Sequence, residues 1–363
     1  MKKYSSPTGM HKHFFLLLMA LVVLITSGCK KQGYITFKSF PGEQELKGEK
    51  LNFVIYTHAV RLELMDSLLF ILNPYDDNLF ISIYHKNTFQ HLKSFCRKGK
   101  GPYEMEYIGP WSLDKENGIL WVTDFRKTNL WGFHIDSLLK FPDYKPTIEI
   151  TLPKKLYPIM ELANYNSELF AIPDPLGEVQ LYFFNKQGEE VSVIEKMGIK
   201  DIQDSFFSDL TRTHNRIHPE KDKMVMVYRY FDRMIIRNLQ NDQFIEVTGP
   251  DHIDPKEQLA ANNHERLKGY ASKPKFDDRF IYLFYSGGPV AHVDLEKGKV
   301  SALYGKKIHV FDWDGNPVMR LILDHQISNF VIDKENQRII AFAVDAEESM
   351  ISYDISNISE LNE

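Results

Sequence analysis

Short runs of β-branched and aromatic residues recur along this chain every fifty or so residues, bounded by Asp, Asn, Gly and Pro turns. The leading run of each unit begins at residue 68, 119, 169, 224, 280 or 338. Most have a partner across a short turn. LLFIL at 68–72 faces FISIYH at 80–85, ILWVTD at 119–124 faces LWGFHI at 130–135, and LFAIPD at 169–174 faces VQLYFFN at 179–185. MVMVYR at 224–229 faces MIIRNL at 234–239, and RIIAFAVD at 338–345 faces MISYDI at 350–355. In the fifth unit FIYLFYS at 280–286 is followed by VAHVDL at 290–295 and KIHVFDWDGNPVMRLIL at 307–323. LMDSLLFIL at 64–72 reads as two strands meeting near Asp66 and Ser67 rather than as a helix.

Two units agree in detail. SLDKENGILWVTDFRKTNLWGFHID at 112–136 and VIDKENQRIIAFAVDAEESMISYDI at 331–355 share a DKEN turn, an apolar strand and an aromatic strand. A β-sandwich gives no reason for such a turn to return four intervals later. A lone hairpin cannot bury both faces, so repeated units must stack around an axis. The expected fold is all-β: a six-bladed β-propeller with four-stranded antiparallel blades over residues 49–363. An open seam would leave bare strand edges, so an N-terminal strand should close the ring. YITF at 34–37 and LNFVIY at 51–56 are the candidates, and 51–56 is favoured, with a tether leaving from the seam.

The N-terminus reads as an address. Basic residues lead into twelve apolar ones, FFLLLMALVVLI at 14–25, and then TSGC ending at Cys29. Twelve residues rise about 18 Å as a helix, short of a bilayer core of about 30 Å, so the run is a signal h-region and not a span. The segment 25–29 resembles a bacterial lipobox, with Thr26 where Leu is usual. That resemblance implies a signal peptide over 1–28, acylation (palmitate among the chains) at Cys29, and a polar tether over 29–48. Removing residues 1–28 takes three lysines and leaves 41 basic against 49 acidic residues, a balance that disfavours nucleic acid. Acylation of Cys29 leaves Cys96 as the one remaining cysteine, so no internal disulfide can form. Cys96 is expected to be half-buried and inert.

The lipobox, the segment Lys98-Gly99-Lys100-Gly101-Pro102-Tyr103-Glu104 after the first unit, and the repeated strand units together resemble the TolB-like six-bladed propeller lipoproteins of Bacteroidetes. The family segment usually reads Gly-x-Gly-Pro-Gly-Glu, and Tyr103 departs from it. The resemblance spans about residues 50–355. It implies the fold and an unassigned, ligand- or partner-binding role.

Candidate sites are few. Gly99, Gly101, Pro102 and Glu104 form a turn motif between units; the segment lacks the length, terminal Lys-Ser/Thr and helix of a phosphate-binding loop. The segment 212–220 carries Arg212, His214, Arg216, His218 and Glu220, which could line the propeller mouth as a loop. Arg229, Tyr230 and Arg233 sit at the fourth unit's turn, the position of Asp124 and Arg126 in the second. Arginine beside tyrosine suits a carboxylate, phosphate or sugar. Asn262, Asn263, His264 and Glu265 lie in a long polar interval near 248–275. DWDGN at 312–316 lacks the Glu of a calcium loop and reads as a hairpin turn.

No catalytic set, metal site or cofactor is expected. The reading is a membrane-anchored lipoprotein whose propeller serves as a binding scaffold for a glycan, peptide or envelope protein complex. The alternative is a hydrolase or lyase acting on a saccharide or lactone in the channel, which would need convergent acid–base groups in one funnel. The address implied is the cell envelope, at the outer membrane, with the periplasmic face favoured because Lys30 and Lys31 follow Cys29 where surface display would show an acidic run.

Overall fold

The computed structural model describes residues 32–53, 61–74, 76–124, 127–166, 168–174, 179–195, 213–218, 220–241, 243–254, 257, 268–286, 292–294, 299–301, 304–346 and 349–362. Cys29, Arg126, Arg212, Asn262, Asn263, His264 and Glu265 lie outside it.

Four blades are separate sheets. Blade one is Arg61–Met65, Leu68–Leu72, Leu79–His85 and His91–Arg97. Blade two is Ile108–Asp114, Ile119–Asp124, Asn129–His134 and Ile148–Thr151, with a helix Ile135–Lys140 inserted before its outer strand. Blade three is Ala163–Tyr165, Leu169–Pro173, Leu181–Asn185 and Glu190–Ile194. Blade four is Thr213–Ile217, Lys223–Tyr228, Arg233–Asn238 and Phe244–Thr248. Each pairs antiparallel from inner to outer strand.

The remaining strands form one eight-stranded sheet, joined through the long strand Pro317–Asp333. Its first part pairs with Gly305–Asp312 and its second with Arg338–Ala343, with the crossover near residues 322–327. The sheet is therefore two blades sharing a strand. Blade five is Lys275–Phe276, Phe280–Tyr285, Gly305–Asp312 and the first part; blade six is the second part, Arg338–Ala343, Met350–Asp354 and Glu49–Lys50. In blade five the expected run 290–295 is not a ladder strand: residues 292–294 pair with 299–301 as a separate hairpin.

Six hydrophobic clusters fill six interfaces between neighbouring blades. The last joins Leu69 and Ile71 of blade one to Ile340 and Phe342 of blade six, so packing as well as pairing closes the ring. Period-two alternation between two packed faces explains why the second strands are apolar through their middles. In blade four Met224 and Met226 face blade three, while Val225 and Val227 face blade five. Every residue of that strand meets a neighbouring blade.

The closing strand begins two residues before the favoured segment. Lys50 pairs with Ile351, and the Leu51 N–H donates to Met350 O at 3.0 Å. The stretch expected as a tether is largely docked. Gln32–Thr36 pairs parallel with the outer strand of blade four, and Glu43–Leu46 pairs parallel with 320–323 in blade five. This strap runs along blades four, five and six, so the described chain leaves from the outer edge of blade four and not from the seam. Phe37 and Phe40 supply the reason, packing against Phe311 between blades four and five.

The DKEN turns are real equivalents. Asp114 and Asp333 are both buried at the ends of inner strands and accept from Asn117 and Asn336. Their fifth position takes a left-handed backbone, Gly118 at φ 60° and Gln337 at φ 48°. The segment after blade one folds the same logic differently. The Gly101 N–H donates to Glu104 Oε2 at 2.8 Å, and a Cβ on Gly99 would overlap that carboxylate. Tyr103 sits at φ 63°, the region where glycine is favoured, which accounts physically for the glycine usual in the family segment.

Candidate functional site

Each inner strand carries short-spaced polar residues, and several converge on the axis of the ring. Arg61 and Glu63 lie two apart on the inner strand of blade one and His214 and Arg216 on that of blade four, so each pair shares a strand face, while Lys273 stands just ahead of blade five's inner strand and Lys275 opens it. Glu161, just ahead of blade three's inner strand, joins them. The expected mouth loop at 213–217 is thus a strand.

These groups form two tiers. In the first, His214 Nδ1 meets Glu161 Oε1 at 2.7 Å, and the Asn215 N–H donates to Glu161 Oε2 at 2.9 Å. Lys273 Nζ donates to Leu162 O at 3.1 Å. Arg61 and Lys273 both lie within electrostatic reach of Glu161 and of each other. In the second tier, both terminal nitrogens of Arg216 donate to the two Glu63 oxygens at 3.0 Å. Lys275 Nζ donates to Glu63 Oε1 at 2.9 Å and to Leu62 O at 2.8 Å. Lys115 faces Glu63, Asp66, Glu220 and Arg216 beyond this tier.

Burial alone would raise the Glu63 carboxyl, but Arg216 and Lys275 outweigh it and hold it well below the ordinary carboxylate range. Glu161 is lowered on the same balance, with Lys273 and His214 opposing burial. Burial pushes Lys275 down to about 8, against the pull of Glu63. Lys273 is lowered too, by burial and by Arg61 and Arg216 nearby. Arg61 is exposed. His214 Nε2, Asn164 Oδ1 and Asn329 Oδ1, on the inner strands of blades four, three and six, are buried with no hydrogen-bond partner among the described residues.

The other expected residues lie elsewhere. His218 is four residues beyond His214 on an extended backbone, about 13 Å away, so the two cannot share one ion. Its ring packs with Phe276 and against the Trp313 edge at 5.0 Å. Thr213 pairs with Tyr228, so Arg229, Tyr230 and Arg233 sit at the His214 end of blade four. Arg233 donates to Glu246 at 2.8 Å and lies 4.7 Å from the Tyr228 ring. Arg229 lies over Tyr230. Gly99, Gly101, Pro102 and Glu104 make the turn between blades one and two, and Cys96 is buried, with its thiol pushed up by burial.

A second polar cluster lies between blades four and five. The Tyr270 hydroxyl donates to Asp232 Oδ1 at 2.9 Å and lies 3.4 Å from His309 Nδ1. His309 stacks on Tyr285 at 4.3 Å, and Phe40 of the strap covers it at 4.5 Å. Burial pushes Asp232 up to about 6 and His309 down to about 3. Sequence reading found none of Arg61, Glu63, Glu161, Lys273 or Lys275. Their common signal is position: Arg61, Glu161, His214 and Lys273 stand seven to ten residues ahead of the second-strand runs at 68, 169, 224 and 280.

The family model of TolB-like 6-blade propeller-like proteins matches residues 36–335. Among solved structures, a Bacteroides fragilis NCTC 9343 protein described as exported is similar at a TM-score of 0.57 and 10% identity. The match covers 88% of this chain and 98% of that one. The WD40 repeats of RRP9 align at a TM-score of 0.48 and 10% identity, over 84% of this chain and 97% of theirs. No curated relative matches the sequence.

Proposed function

Because the chain belongs to the TolB-like six-bladed propeller family, we propose that it is a lipid-anchored binding scaffold of the cell envelope that takes its ligand at the channel mouth where Arg61, His214 and Lys273 meet. One observation carries this reading. Strands far apart in sequence send ionic and hydrogen-bonding groups to one axis, and several of those groups keep unused capacity. A ring that merely filled its centre would need no such charges, since apolar side chains often serve a buried position as well or better. The similarity to an exported Bacteroides fragilis protein supports the envelope address. Acylation at Cys29 and the outer membrane rest on the lipobox and family resemblance, and the periplasmic face rests on Lys30 and Lys31 standing where surface display would show an acidic run.

The test has two arms. Cells fed an alkyne-bearing palmitate should label the wild-type chain and not Cys29→Ser, which should leave the membrane fraction. The full chain, immobilised and offered envelope glycans and peptides, should retain a ligand that Arg61→Glu loses and Val193→Lys, on the outer rim of blade three, keeps. Retention lost only by the rim substitution would move the site off the channel.

A further inference from the structure

The two tiers are unequally satisfied. Glu63 is shared by a bidentate arginine and a lysine, so the second tier is closed upon itself. In the first tier Glu161 spends both oxygens on His214 and the Asn215 N–H. Lys273 uses one of its three hydrogens on Leu162 O, and the Arg61 guanidinium makes no hydrogen bond among the described residues. Together the tiers hold four cations, Arg61, Lys273, Arg216 and Lys275, against two carboxylates, Glu63 and Glu161.

The histidine narrows the chemistry. A carboxylate only accepts, so Glu161 fixes the proton of neutral His214 on Nδ1. Nε2 then presents a lone pair, buried and without a partner. Such an atom calls for a donor. A cationic fork beside a buried acceptor matches a molecule with a carboxylate and a neighbouring hydroxyl. A bare oxyanion leaves Nε2 unanswered, and a neutral sugar leaves Arg61 and Lys273 unanswered.

We propose that the first tier of the channel binds a hydroxy acid of the uronic-acid class, its carboxylate on Arg61 and Lys273 and a hydroxyl donating to His214 Nε2. This rests on the reading that the channel mouth is the binding site.

Titration calorimetry on the full chain in detergent tests it, with D-galacturonate, D-galactose and inorganic sulfate, an oxyanion with no hydroxyl, as probes. Galacturonate should bind, with galactose and sulfate each weaker by about tenfold or more, the loss expected for charge-assisted hydrogen bonds. Arg61→Gln should weaken galacturonate by a similar factor; Arg61 is exposed, so a thermal melt should show the fold intact. His214→Phe should weaken galacturonate and leave sulfate unchanged. Equal binding of galactose, indifference to Arg61→Gln, or no binding of galacturonate overturns the proposal. Sulfate binding as tightly as galacturonate, whatever stands at 214, also overturns it in favour of a bare anion site. Channel-dependent retention of a neutral ligand would then leave the scaffold reading standing, whereas loss of both would remove it.

Discussion

The propeller holds two polar clusters built from the same kinds of residue, and they behave in opposite ways. In the channel, His214 sits on Glu161 among lysines and arginines, and its carboxylates are held ionised. Between blades four and five, His309 and Asp232 share Tyr270 under an aromatic cover, and burial drives both toward their neutral forms. The difference is the supply of countercharge and water. The channel has cations from three blades, and one of them, Arg61, is exposed. The other cluster is sealed by Phe40 of the strap. Both histidines keep a buried Nε2 with no partner among the described residues, so a histidine–carboxylate neighbourhood indicates a site only where countercharge for a ligand stands beside it.

The largest effect should come from breaking the closed tier. Glu63→Leu leaves Arg216 and Lys275 buried without their shared partner, and should cost about 3–5 kcal/mol in urea unfolding followed by circular dichroism. A cost below about 1 kcal/mol would mean that water already serves these cations. Next is the cover of the sealed cluster. Phe40→Ala should cost about 3 kcal/mol and admit water to His309, raising its pKa toward 6.5 in an imidazole titration.

The blade positions were legible in the sequence because hairpins between two neighbours must be apolar on both faces, and turns punctuate them at a steady period. The DKEN turn revealed a genuine equivalence through buried Asp114 and Asp333. Of the strap only a candidate strand at 34–37 was legible, and its place on blade four was not, because Gln32–Thr36 and Glu43–Leu46 add parallel to outer edges and repeat nothing. Nor was the shared strand Pro317–Asp333, whose two halves belong to different blades without a turn between them. Of the channel, His214 and Arg216 were seen through a crowded motif. Arg61, Glu161 and Lys273 were missed because each is a single charge at the start of a short strand, meaningful only when the units are aligned.

Acid sharpens the contrast between the clusters. His309 takes its proton at 6.5 in the unfolded chain but at about 3 in the fold. Its contribution is lost as pH falls, about 2 kcal/mol from pH 7 to pH 5. Asp232 rises from 3.8 to about 6, so the fold binds that proton first and gains about 1 kcal/mol over the same interval. The gain offsets roughly half of the loss in the wild type. Asp232→Asn should therefore make the urea midpoint fall steeply between pH 7 and pH 5, and His309→Phe should make it rise.

A small change remote from both clusters sets the scale. Tyr103→Gly relieves a left-handed tyrosine and should stabilise the ring by about 0.5–1 kcal/mol in urea unfolding, without altering any acid response.

The central claim is that His214, with Arg61 and Lys273 beside it, takes a ligand, whereas His309, whose Nε2 is also unpartnered among the described residues, is kept from one by the Phe40 and Tyr285 rings. The most direct measurement is the imidazole nitrogen spectrum of the full chain, taken with and without saturating D-galacturonate. The account predicts a His214 proton on Nδ1, a shift at His214 Nε2 on adding galacturonate, and an unchanged His309. A His214 Nε2 resonance that galacturonate leaves in place, or a His309 that moves with it, would contradict it.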